Sequence, residues 1–393
     1  MKALAGTART ILRNIEHLKY EGRQLVSSRA SKPGSKTRML LISDGREYTS
    51  EQQFAPIVRH AALLRQELGL DFVYVPLEVA LKKTPSFFAN FEIIGLKLSF
   101  RLSGGEALSR ARHFRALCGP ATTYIYFDGD DDSNIQWPAV LDEVDLYVKK
   151  HAFVDPLAYQ REYIGKNNLT DYVAKVSGRS FADNAIATTG AVPAHLLKKL
   201  HVAWNIGLDD KIAELGRASM GTTTAERPVD VSSRAIVAPD NWIYSLRNPV
   251  AQQLESMADE FNVSVPRARV APKEYYEEMR SSKICVSPFG YGELCWRDFE
   301  AIMSGCLLVK ADMSHVRTAP DIFIPYVTYV PVAWDYSNLR EVCREYLANT
   351  TERQRIISQA QAAVTESLTS RWFIERMAEL LAASQNIQLA AAS

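Results

Sequence analysis

Long apolar runs are missing from this chain of 393 residues; none approaches the ~18 residues that a membrane-spanning helix requires. Cysteine is sparse as well. The five cysteines are odd in number, form no C-x-x-C pair and lie mostly inside apolar runs. That excludes a disulfide scaffold and predicts reduced core thiols in a cytosolic setting. The seven histidines form no H-E-x-x-H or Cys/His zinc spacing. An excess of one charge is also absent. Lys and Arg total 46 against 45 for Asp and Glu, so no nucleic-acid partner is expected. No repeat, no extended low-complexity tract and no apolar h-region near the start is visible, so no signal peptide is expected. What remains is 47% hydrophobic and 23% charged, ordinary for a globular protein and long enough for two domains.

The most informative stretch is SSKICVSPFGYGELCWRDFEAIMSGCLLVKADM, residues 281–313. Ile284, Cys285 and Val286 read as a buried strand bounded by Ser287 and Pro288. Gly290 and Gly292 flank Tyr291 in a loop that lets backbone approach a ligand closely. A helix is expected from about Glu293, with Cys295, Phe299, Ile302 and Met303 on its apolar face and Gly305 at its end. Cys306 to Val309 restart a strand. Glu293, Arg297, Glu300 and Ser304 then form one polar stripe. It sits where parallel α/β sheets bind ligands, at a helix N-terminus that attracts phosphate. An arginine there can clamp a diphosphate, and a carboxylate can accept ribose hydroxyls. The alternative is a solvated face of i, i+4 and i, i+3 ion pairs.

SKICVSPFGYGELCWRDFEAIMSGCLLVK resembles the nucleotide-sugar half of exostosin-like and related glycosyltransferases of the two-Rossmann-domain (GT-B) fold. Ser282, Lys283, Pro288, Gly290, Arg297, Glu300, Gly305 and Cys306 follow that family's order. The wider group often carries two glutamates separated by seven residues; here Glu293 and Glu300 are separated by six. Glu300 is the better match and would bind ribose. The resemblance covers about 60 residues well and the remainder in layout only. It implies an α/β protein with two Rossmann-like domains facing a cleft. It also implies a nucleotide-diphosphate sugar as co-substrate, with no other cofactor and no metal.

Upstream, MLLIS (39–43), DFVYVPL (71–77), IIGLKLSF and TTYIYFD (122–128) read as strands. Helices around 54–68 and 105–117 alternate with them, which predicts a parallel, doubly wound sheet. The fourth strand runs into Asp128-Gly129-Asp130-Asp131-Asp132. Crowded carboxylates raise one another's pKa, and a raised carboxylate can act as general base. Asp128, Asp130 and Asp131 are therefore the catalytic candidates. Two other readings stand: Asp130-x-Asp132 as a Mg²⁺ or Mn²⁺ pair, and a solvated loop capping a helix. DLYVKK (145–150) reads as a further strand. Lys149, Lys150 and His151 at its end would face an anion across the cleft or form a paired surface cluster.

Residues 1–225 are expected to form the N-terminal, acceptor-binding domain with a helical extension. Residues 226–370 would form the nucleotide-sugar domain, with 371–393 a helix returning to the first. Residues 1–30 carry basic excess, read either as a peripheral-membrane contact or as a helix packed on the first domain. Residues 31–35 read as a linker, 165–228 as the interdomain crossing. Helix 241–258 brings Arg247 towards the donor diphosphate, or leaves it exposed. The function so implied is sugar transfer to a hydroxyl of a glycan, lipid-linked or small-molecule acceptor, metal-independent and leaning to inversion. The alternatives are an epimerase of the same fold and a non-catalytic nucleotide- or sugar-binding module. The setting would be cytoplasmic, with or without membrane association.

Overall fold

The computed structural model describes residues 37–45, 52–181, 190–219, 226–235, 238–266 and 268–392. The basic segment 1–30, the linker 31–35 and most of the 222–228 junction lie outside them. Strands β1 (Thr37–Ser43), β2 (Leu70–Pro76), β3 (Ile93–Lys97), β4 (Thr123–Asp128), β5 (Leu146–Lys149) and β7 (Leu200–Val202) make one sheet, ordered β2-β1-β3-β4-β5-β7. Every neighbouring pair in it is parallel. A parallel sheet needs helices on both faces, so its strands read as continuous apolar runs; all of β4 is buried. Apolar side chains accordingly gather into two clusters that draw on this sheet, one around Leu40, Leu96 and Tyr126, the other around Met39, Leu41 and Phe127.

The second sheet holds β8 (Val229–Ser232), β9 (Val263–Ser264), β10 (Ser282–Val286), β11 (Leu307–Ala311) and β13 (Val330–Val332), ordered β13-β11-β10-β8-β9 and also parallel. The molecule is therefore α/β with two Rossmann-like halves. Helix Ser370–Ala392 packs Phe373, Ile374, Met377 and Leu380 into the same cluster as Met39 and Leu41 of the first half. Thr123 Oγ1 on β4 donates to its Ser384 carbonyl at 3.3 Å.

Four features differ from expectation. The helix expected over 54–68 is two, Ala55–Arg59 and Ala61–Leu68, broken at His60 (φ −99°, ψ 16°), whose ring stacks on Phe373 at 5.0 Å. The apolar face runs on across the break, so periodicity alone shows one helix. The sequence offers Asp335 or Ser337 as N-cap of the helix after 335; that helix begins instead at Leu339 with Asn338 as N-cap, whose Oδ1 accepts the Ala333 N–H and not a helix N–H. A packing boundary at 225 is not observed. Leu169, Val173, Phe181, Ile206 and Ile212 belong to the core of the second half, whereas β7, between them in sequence, joins the first sheet. The crossing segment thus passes between the halves more than once.

The fourth feature is new. Strands β6 (His151–Phe153) and β12 (Val316–Thr318) pair antiparallel, His151 opposite Thr318, in a ribbon that stitches the halves together. Val154 N–H extends it to the His315 carbonyl at 2.9 Å. Three-residue strands have too short an alternation to be read from sequence.

Candidate active site

The glycine loop runs from Ser287 to Cys295, and the helix after it spans Trp296–Met303. Its start is three residues later than the apolar period suggests, so Glu293 is a loop residue and not part of the helical stripe. The reason is the cap. Cys295 is the extended N-cap residue, and the Asp298 carboxylate turns back to its N–H at 2.9 Å. Asp298 also accepts from Ser287 Oγ and from Lys310 Nζ at 3.1 Å, with both members of that ion pair fully buried. Arg297, Asp298 and Glu300 are all buried, which excludes the solvated-face reading of the helix.

Arg297 is spread over the loop. Its Nε donates to Ser287 Oγ at 3.0 Å, Nη1 to the Arg234 carbonyl at 3.0 Å and Nη2 to the Pro288 carbonyl at 2.8 Å. Each Nη keeps a second N–H. Arg247, on helix Tyr244–Ser256, donates from Nε to the Phe289 carbonyl at 2.9 Å. Burial and the nearby Arg297 cation push its pKa down to about 10. Two guanidinium groups thus back the same loop, and the acceptors of Arg297 are neutral oxygens. Gly290 packs closely beside Arg247: a Cβ there would lie 3.2 Å from Arg247 Nη2 and 3.2 Å from Cys295 Sγ, so these neighbours would have to give by a few tenths of an ångström. Tyr291 at the tip is 56% exposed, and its hydroxyl accepts from Asn241 Nδ2 at 2.9 Å. Glu300 accepts from Tyr275 and Tyr276 hydroxyls at 2.8 and 3.1 Å and pairs with Lys211 at 3.1 Å. A small cavity adjoins these groups at the carboxyl ends of β8, β9 and β10, lined by Ser232, Ser233, Ser264, Tyr275 and Arg297.

The acidic loop after β4 is neither solvated nor free, and no helix follows it directly. Asp128 is sealed in the first half, accepting from Lys149 Nζ and Tyr147 hydroxyl, each at 2.9 Å. Asp130 is bound by Lys166, and although burial works the other way, that cation holds its carboxyl below the usual range. Asp131 pairs with Lys150 at 3.0 Å. Lysines at 149 and 150 are therefore buried partners of this loop and not a surface cluster. The carboxylate of this loop with the raised pKa is Asp132, read from sequence only as one end of a metal pair and not as a base: burial lifts it to about 6. Lys166 Nζ lies 2.8 Å from it, so one ammonium serves both ends of the Asp130-x-Asp132 pair. Among the described residues no group of His, Cys, Asp or Glu is arranged to hold a metal ion.

The two loops meet. A Cβ on Gly292 would lie 1.3 Å from the Asp131 carbonyl oxygen, so only glycine allows this approach. Next to it, fully buried Glu293 accepts the Ser133 N–H at 3.0 Å. Its two oxygens lie 3.4 Å from His151 Nε2 and 3.5 Å from His315 Nε2. Burial raises the Glu293 pKa, but the two imidazoles outweigh it and hold the carboxyl well below its ordinary range. Burial lowers that of His151, against the pull of the Glu293 carboxylate. Asp298, Lys166 and His315 were not singled out from sequence. A cysteine N-cap carries no capping-box signature, and Lys166 and His315 belong to no motif.

Residues 249–382 match the family model described as glycosyl transferase-like. No curated protein matches the chain in sequence. Among solved structures, Anabaena Alr3699/HepE in complex with UDP-glucose is similar at 12% identity and TM-score 0.45, over 88% of this chain and 99% of that one. An alpha-glucosyltransferase (AGT) in complex with UDP gives 9% identity and TM-score 0.45, over 88% and 100%. The S. aureus MnaA–UDP co-structure gives 8% and 0.43, over 88% and 97%. The family match takes in the glycine loop, Arg297, Glu300 and the strands β10 and β11 on either side of them, so residues 249–382 carry a glycosyl transferase-like sequence.

Proposed function

We propose that the protein transfers a sugar from a nucleoside-diphosphate donor, bound on the C-terminal half, to a hydroxyl acceptor bound on the N-terminal half. The observation that carries this reading is the match over 249–382, which places a glycosyl transferase-like sequence on the loop backed by Arg247 and Arg297. In this reading the diphosphate lies against Gly290 and takes the second N–H of each Arg297 Nη, with the Arg247 cation close by. Such preorganised donors stabilise charge developing on the leaving group. Glu300 takes the ribose by exchanging a tyrosine hydroxyl for a ribose hydroxyl. Glu293, Gly292 and the adjoining Asp131–Ser133 backbone form the wall nearest the transferred sugar. The acceptor proton goes to a carboxylate or imidazole at this seam. Asp128, Asp130 and Asp131 would each have to release a lysine to take it; Asp132 also shares Lys166, but burial lifts its carboxyl to about 6, near neutrality.

The test is a thermal-shift and calorimetry screen with UDP, GDP, ADP and CMP, followed by turnover of the matching nucleotide sugars. A ligand that binds the folded state raises the melting temperature by mass action. One diphosphate is expected to bind, and Arg297→Lys to weaken it at least tenfold, since lysine keeps the charge but not the fork. No binding by any of them sinks the reading. Binding with epimerised donor and no acceptor product would identify an isomerase, and binding without any turnover a silent module.

A further inference from the structure

The seam holds a group that the transfer chemistry above leaves unused. His315 follows β11 and immediately precedes β12, with its ring 5.2 Å from that of Trp334 and 6.5 Å from that of Phe153. Its side chain is 26% exposed, whereas those of His151 and Glu293 are 1% and 0% exposed. Glu293 is therefore gripped from two sides, by a sealed imidazole of the first half and a solvent-reachable one of the second. Glu293 Oε1, both ring nitrogens of His151, His315 Nε2 and Ser133 Oγ have no hydrogen-bond partner within the protein. Buried polar atoms are nearly always paired, so a concentration of them in one spot marks a polar ligand's position and not a packing surface. The other charged groups about this seam are Lys149, Lys150, Lys166, Asp130, Asp132 and Arg317, and Asp312 lies one turn before His315. Lys149, Lys150 and Lys166 already hold the acidic loop, which leaves the two imidazoles as the side chains flanking the Glu293 carboxylate.

We propose that His315 is a positioning residue for sugar transfer: its ring, 3.5 Å from Glu293 Oε1, holds the carboxylate against His151, so that a remaining lone pair of Oε1 faces a hydroxyl of the bound sugar. This rests on the transferase reading. His315 touches neither diphosphate nor acceptor; it acts through Glu293. Loss of the imidazole leaves Glu293 with one flanking ring and the Ser133 N–H, free to turn about its terminal torsion.

His315→Ala tests it in the full-length protein. The expected result is a kcat at least tenfold lower with nucleotide-sugar KM and UDP or GDP affinity within about twofold, as befits an interaction realised in the transition state. Added imidazole should restore much of the rate, since the site is open to solvent, and His315→Gln, which keeps an N–H donor, should lose less. Unchanged kcat, or a loss that neither imidazole nor glutamine mitigates, overturns the proposal. A second readout needs no substrate. In protein labelled with ¹⁵N-histidine, the His151 ring signals should move between wild type and His315→Ala as the shared carboxylate shifts. Static His151 signals overturn the coupling even if no diphosphate binds, in which event the transferase reading fails separately.

Discussion

The loop after β4 and the loop after β10 occupy equivalent places, each at the carboxyl end of a central parallel strand, yet they treat charge oppositely. In the first, Asp128, Asp130 and Asp131 each lie against a lysine of their own half. In the second, Arg297 is held by a hydroxyl and two carbonyl oxygens, and burial together with its cation lowers the proton affinity of Arg247. One loop pairs its charges with ammonium groups; in the other the hydrogen bonds of Arg297 go to neutral oxygens. Conspicuous charge in a sequence is thus a poor guide to where a ligand binds. What matters is whether the fold supplies the counter-charge internally.

The comparison breaks most visibly at Gly292, where the loops touch. Gly292→Ala puts a carbon on the Asp131 carbonyl and should lower turnover by about 100-fold or more, the effect of a ~1 Å misplacement. Assays at saturating donor would show it, and an alanine variant with normal kcat would mean that the halves do not close this way. Next is the internal pairing of the acidic loop. Lys149→Met strands a buried Asp128 carboxylate and should cost about 3–5 kcal/mol in urea unfolding. The double change with Asp128→Asn should recover much of it. If Lys149→Met is neutral, Asp128 is freer than the geometry implies and returns as a base. The smallest effect is on pH dependence. Asp132 has a folded pKa of about 6 against 3.8 in the unfolded chain. Between those values the folded state binds more protons, so this group's contribution falls as pH rises from about 4 to 6. Asp132→Asn should therefore gain stability relative to wild type across that window. A difference that stays flat with pH would show that Asp132 is not the perturbed group.

Much of the fold is legible in the sequence, because continuous apolar runs such as those of β1, β4 and β11 can only be strands covered on both faces. The glycine loop, Arg297 and Glu300 are legible for a related reason: they are contiguous, and a short segment carries its own order. The seam is not. Glu293 meets Ser133 and His151 across the interface, and no local pattern connects a glutamate before a helix with a backbone N–H after another strand. Lys166 is hidden similarly. It reads as one more loop lysine, although its ammonium fills the space between two carboxylates. Burial, which converts a run of aspartates from a reactive cluster into a set of ion pairs, is a property of the assembled halves.

The ribbon formed by β6 and β12 has a mechanical corollary. Any swing of one half about the other must turn around a strap of two hydrogen-bonded backbones, and points near an axis travel least. His151 begins one edge of that strap and His315 adjoins the other. Glu293, held between them, therefore lies beside the line about which such a swing would turn.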